Sequence, residues 1–111
     1  MANNIAFQPM GKTVKVTANT SPVSANVSAD SPVAQYHVLN SSGTDIAYVR
    51  ITPSGGNAAV PGANAEYGMA VLPASSVIIT GPQCRSGSNV VVSAISAANT
   101  PAIFVTPGEG L

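Results

Sequence analysis

Short runs of β-branched and aromatic residues, each closed off by Gly, Pro, Asn or Ser, recur about every eight to twelve residues along this chain. That rhythm constrains the fold more than any other feature. A helix needs apolar residues spaced at a period of about 3.6, and such a stripe is nearly absent. The stretch 69–82, MAVLPASSVIITGP, holds a strand, a corner broken by Pro73, a second strand of apolar and β-branched residues, and a stop at Gly81–Pro82, with no charge inside it.

The same pattern assigns strands to KTVKVTA (12–18), VSANVSA (23–29), AQYHVLN (34–40), IAYVRIT (46–52), NVVVSAIS (89–96) and AIFVT (102–106). Alternation then sorts faces. Val14 and Val16 oppose Lys15 and Thr17, and Tyr36 and Val38 oppose His37 and Leu39; Ala47, Val49 and Ile51 form the core side of a strand whose other side carries Ile46, Tyr48 and Arg50. The SSGTD linker, with Gly43 free to take a positive φ, predicts a hairpin between strands 34–40 and 46–52. Every proline falls at a proposed strand end, where the missing N–H breaks no ladder bond. The Ala-rich SAISAANT is the one place where a short helical turn competes. PSGGNAAVPGANAE (53–66) is a loop longer than is usual inside a compact domain, and it is expected at an interface. The fold class is all-β: one antiparallel β-sandwich or jelly roll of about eight short strands over residues 1–111, with residues 1–11 an extended N-terminal arm.

Only 7% of the 111 residues are charged, against a usual figure of about 25%. Four basic and four acidic residues cancel, so the clustered cations that phosphate binding draws on are missing and nucleic acid is not an expected partner. A free monomer with so few charges has poor colloidal protection. Much of the surface is therefore expected to be covered by other subunits, or kept wet by neutral Ser, Thr and Asn. No apolar segment is long enough for a transmembrane helix, and MANNIAFQPMGK has no basic start followed by an apolar run, so synthesis in the cytoplasm without membrane association is expected.

Reactive chemistry finds little support. His37 is the sole histidine, and a zinc site, a triad or a cupin-type metal centre needs several partners for it. Cys84 lies in GPQCRSG beside Arg85, a neighbour that lowers a thiol pKa, but its loop position and the lack of a local base assign it to a nonreactive turn. SGGNAAVPG and PGEG lack the Gly-Lys-Ser/Thr ending of a phosphate loop. Four scattered carboxylates do not suggest a hydrolytic pair, and Tyr36, Tyr48, Tyr67, Phe7 and Phe104 are too separated to form a stacking platform. No catalytic, cofactor-binding or metal-binding residue is assigned, and no small-molecule substrate is expected. The rival reading is a receptor- or carbohydrate-binding module with the 53–66 loop as its recognition element, although the chain has no Trp.

YHVLNSSGTDIAYVRIT, MAVLPASSVIITGP, NVVVSAIS and AIFVTPGEGL follow one another in an order that resembles small accessory structural proteins encoded in the morphogenesis regions of tailed bacteriophages. The likeness spans about residues 35–111 and leaves the first 34 outside it. It implies a compact β subunit attached to a virion, either a capsid decoration (cement) protein or a part of the connector or tail-fibre apparatus. The implied partners are further copies of the chain and other virion proteins, the major capsid or connector and tail proteins, and the implied place is the virion. The residues expected at contacts are Phe7 and Met10 in the arm, Tyr67 and Met69 after the long loop, and Phe104 near the end, because aromatic and Met side chains are enriched at interfaces.

Overall fold

The computed structural model describes residues 7–30, 32–53, 58, 68–84 and 90–109. They form β1 (Gln8–Pro9), β2 (Val14–Thr17), β3 (Val23–Val27), β4 (Val33–Asn40), β5 (Ala47–Thr52), β6 (Met69–Val71), β7 (Ser75–Cys84), β8 (Val90–Ser96) and β9 (Ala102–Glu109), with no helix among the described residues. One sheet runs β1-β9-β4-β7, with β2 also on β9; the second runs β3-β8-β5-β6, and every pairing is antiparallel. From β2 onward each connection except β5–β6 passes from one sheet to the other. Of the two architectures compatible with the sequence, this strand order is the jelly roll.

The register reveals how the roll is made. Partner numbers add to 117 for Gln8↔Glu109, 119 for Val14↔Val105, 117 for Val23↔Ala94, 115 for Tyr36↔Ile79 and 118 for Ala47↔Val71. The chain is thus one long two-stranded ribbon, turned back on itself near residue 58 and then rolled so that β9 meets β4 and β8 meets β5. Ala58 itself is buried, and its N–H donates to Ser93 Oγ at 3.0 Å. Alternation puts Ser93 on the outer side of β8, opposite the inward Val92 and Ala94, yet it is fully buried. Ala58 therefore lies over the outer side of β8. The rest of the 53–66 loop, apart from Pro53, lies outside the described residues.

The core fills the space between the sheets with Val16, Val27, Tyr36, Val38, Val49, Val71, Val90, Val92, Ile103 and Val105, packed with Ala18, Ala47, Ala94 and Cys84. The predicted faces hold for Val16, Tyr36, Val38, Ala47 and Val49, which are buried, whereas Lys15 and Thr17 are exposed and His37, Leu39, Tyr48 and Arg50 are half-buried; Val14 and Ile51 are only half-buried against the core, and at the end of β5 it is Thr52 that is buried. β-Branched residues dominate because one preferred rotamer packs well on a pleated surface.

Four expectations are corrected. Strands 34–40 and 46–52 do not form a hairpin: β4 already has β7 on one side and β9 on the other, so β5 must leave for the second sheet, and the SSGTD linker is a corner. The pairing of consecutive strands within a sheet falls instead to β5 and β6, across the long loop. Gly81–Pro82 does not stop its strand, because β7 runs on to Cys84 through a register shift opposite Val33 and Gln35. A Cβ on Gly81 would lie 3.1 Å from the Tyr36 ring, so the ring packs over the glycine while its hydroxyl donates to the Pro82 carbonyl. Cys84 is correspondingly a core residue and not a turn residue, its thiol donating to the Val27 carbonyl at 3.4 Å.

The last strand likewise continues past Thr106 to Glu109 with Pro107 inside it. The carbonyl of Pro107 accepts from Met10 N–H at 2.9 Å, so the side on which its own N–H is missing faces the break between β1 and β2. A Cβ on Gly108 would collide with the Gln8 carbonyl oxygen and the Phe7 ring. Gly108→Ala is expected to displace β1 and cost about 1–2 kcal/mol, read as a lower melting temperature with faster amide exchange confined to residues 8–11.

Candidate functional site

Residues 7–11, the described part of the expected arm, lie against their own chain. Met10 donates its N–H to Pro107 in one sheet and accepts at its carbonyl from Asp30 N–H (2.6 Å) beyond β3 in the other, and Gly11 bridges to Ala29. Met10 is half-buried against the core. This seam stitches the two sheets together along one side of the sandwich. Residues 1–6 lie outside the described residues.

Phe7 packs its ring on His37, with centroids 5.8 Å apart, and lines a shallow hollow of about 360 Å³ with Pro9, Thr13, His37 and Thr106. Phe104 sits on the same outer face. In register across the sheet run Lys15, Phe104, Leu39 and Ser76, and in the next row Thr106, His37 and Ile78. Phe7, His37, Leu39, Ile78 and Phe104 are all half-buried. Two of the five contact residues picked from sequence are therefore brought onto one face, where apolar and polar side chains alternate. Met69 stands apart on β6, 38% exposed, near Leu72 at 59% in the β6–β7 corner; Tyr67 lies outside the described residues. Leu39 and Ile78 escaped the sequence reading because they look like ordinary strand residues; the signal was there in the alternation, which leaves His37 and Leu39 on the outward side of β4.

The richest polar cluster closes one end of the sandwich. Asn40 is fully buried: its Nδ2 donates to the carbonyls of Asp45 (2.8 Å) and Val71 (3.0 Å), and its Oδ1 accepts from Ser42 N–H (3.0 Å). Asp45 Oδ1 accepts from Asn99 Nδ2 at 2.9 Å, while its Oδ2 accepts from the Thr44 hydroxyl at 3.3 Å and, more loosely, from that of Ser42 at 3.5 Å. The Ser42 oxygen in turn accepts from the N–H groups of Thr44 and Asp45. The corners after β4, β6 and β8 are thus tied together, Ala74 N–H joining through the Ser42 carbonyl at 2.7 Å. Beside them lies a hollow of about 200 Å³ lined by Thr44, Asp45, Ile46, Tyr48, Ala97 and Ala98. The Asp45 carboxylate is engaged in this structural work on both oxygens, which leaves it poorly placed as a base.

Gly43 does not use its freedom; the left-handed positions at these corners are Ala74 (φ 54°) and Asn99 (φ 66°). Asparagine adopts that region at less cost than alanine. Ala74→Gly is expected to raise stability by up to about 1 kcal/mol, seen as a higher denaturation midpoint with an unchanged m-value.

Among the described residues, no three of His, Cys, Asp and Glu converge as metal ligands would. No helix of the described residues is long and apolar enough to cross a membrane. No family model matches the chain, and neither a curated protein nor a solved structure is significantly similar to it.

Proposed function

We propose that this chain is a non-enzymatic bacteriophage virion protein, a capsid decoration (cement) subunit that stabilises the particle by contacts between subunits. The observation that carries the reading is the outer face of the β1-β9-β4-β7 sheet, where Phe7, Leu39, Ile78 and Phe104 gather only partly buried beside Lys15, His37, Ser76 and Thr106, in a chain with 7% charged residues. A sheet face that presents apolar side chains to water on a protein so poorly charged suits a subunit that spends its working life covered. The jelly roll adds support of a weaker kind, since that architecture recurs in viral capsid domains but also in lectins and enzymes.

Decoration by this face has a direct test. Particles lacking the protein are mixed with purified chain, and both co-sedimentation and the temperature of particle disruption are measured. Binding with a raised disruption temperature is expected, and Leu39→Glu should weaken it by about 2 kcal/mol or more, roughly thirty-fold in Kd, with the circular dichroism spectrum unchanged. Absence of binding would end the reading. Electron microscopy of labelled particles separates the capsid surface from a connector or tail-fibre position, and retention on glycans without particle binding would favour the receptor-display alternative.

A further inference from the structure

We propose that β7 pairs antiparallel with β7 of a second copy of this chain, across a two-fold axis near Ile78 that is normal to the sheet.

The two long sides of the sandwich differ. The side of β1, β2 and β3 is stitched by Met10 and Gly11. The opposite side, β7 in one sheet and β6 in the other, carries no backbone bond between the sheets among the described residues. Among the described residues β7 is the edge of its sheet and pairs with β4 alone. Over Ser75–Thr80, every second residue therefore turns its N–H and C=O away from β4.

Edges of this kind are normally blunted by charge, proline, a bulge or shortness. Ser75–Thr80 has none of these, and no residue from Gly68 to Cys84 is charged. The bulge and Pro82 come just beyond Thr80, so they leave the ladder open for six residues and then close it. A strand that meets its own copy antiparallel makes a self-complementary contact, and the absence of charge means that no like charges face each other. A two-fold axis normal to the sheet keeps outer face beside outer face. With the axis at Ile78, the Ser76 of each copy then stands opposite Thr80 of the other, and the Ile78 side chains meet. Pairing of β7 with β7 occupies this edge in both copies at once, so this contact closes at two and does not propagate. Exposed Met69 and Leu72 flank the same open side, next to the start of β7, where pairing would bring cover.

Light scattering on the purified chain tests this, together with amide hydrogen exchange at several concentrations. The expected mass is twice 11.0 kDa. Alternate amides within Ser75–Thr80 should exchange more slowly as concentration rises. The double variant S76K/T80K alters two exposed positions and sets like charges opposite each other across the axis; it should halve the mass while the spectrum and melting of the single chain persist, whereas Ser24→Lys on β3 should leave the mass doubled. A single-chain mass for the natural sequence with no concentration-dependent protection would overturn the proposal, as would a doubled mass in folded S76K/T80K. If the variant fails to fold, the exchange data on the natural sequence decide alone. Protection of β7 amides only when the chain sits on particles would assign the edge to a different partner and also overturn it. The inference does not rest on the virion reading: a dimer that binds no particle removes that reading and leaves this one, and a monomer that decorates particles does the reverse.

Discussion

Tyr36→Ala should cost the fold about 3–5 kcal/mol, a large share of the roughly 5–15 kcal/mol that holds a domain together. Among the described residues Tyr36 is the largest fully buried side chain, and its ring lies over Gly81 in the bulged part of β7. Truncation opens a cavity that the surrounding valines are too short and stiff to fill. Tyr36→Phe isolates the hydroxyl: it removes the bond donated to the Pro82 carbonyl at 2.5 Å together with the hydroxyl's interaction with Cys84, and should cost about 1–2 kcal/mol. Urea titrations of the three proteins give both numbers. A Tyr36→Phe loss as large as that of Tyr36→Ala would show that the ring's packing matters less than its bond.

The same residue gives the fold an alkaline limit. Burial above all, with Cys84 beside it, disfavours the phenolate and pushes the Tyr36 pKa well above its ordinary value near 10. At pH values between the unfolded and folded pKa, the unfolded chain releases the proton and the folded chain keeps it. Stability is then whole below about pH 10 and falls as pH rises beyond it. Tyr36→Phe should flatten that slope in a melting series taken across the alkaline range, although it starts from a lower plateau.

Asn40→Ala is the second large effect, about 2–4 kcal/mol. One buried amide serves three backbone groups: it donates to the carbonyls of Asp45 and Val71 and accepts from Ser42 N–H. Its removal strands polar groups in a place where water has poor access, and each unsatisfied group costs about 1–3 kcal/mol. Because Val71 belongs to the opposite sheet, the loss falls on the contact between sheets as well as on the corner. Asn40→Asp tests the donor role separately, since a carboxylate in that position has nothing to give to the two carbonyls and should be no better tolerated than alanine. Calorimetry on the two variants checks the size, and a near-neutral Asn40→Ala would mean that the corner relaxes to let solvent in.

These two residues also mark where sequence reading stops. Tyr36 was legible as a core residue, because alternation with Val38 against His37 and Leu39 needs no knowledge of partners. Its demand on Gly81 was not, since the contact lies 45 positions along the chain, and without it a Gly-Pro pair reads as a stop. The linker after Asn40 was legible as a turn but not as a corner: a short linker fits either a hairpin or a crossing between sheets, and the choice was made by β7 and β9 occupying both flanks of β4. Of the contact residues, Phe7 and Phe104 could be picked as aromatics, but their meeting on one face depends on β1 lying along β9, and Met10 turned out to hold the sheets of its own chain.

The nearly constant sum of partner numbers along the ribbon carries a kinetic consequence. Joining Gln8 to Glu109 directly would close almost the whole chain at once, whereas β5 and β6 close the smallest loop in the ribbon, and each pair outside them then has only a few corner residues left to bridge. Zipping from the tip outward is therefore the low-entropy route. Mutations near Ala58 and Ser93 should slow folding, while those around Phe7 and Gly108, the last teeth to engage, should mainly quicken unfolding.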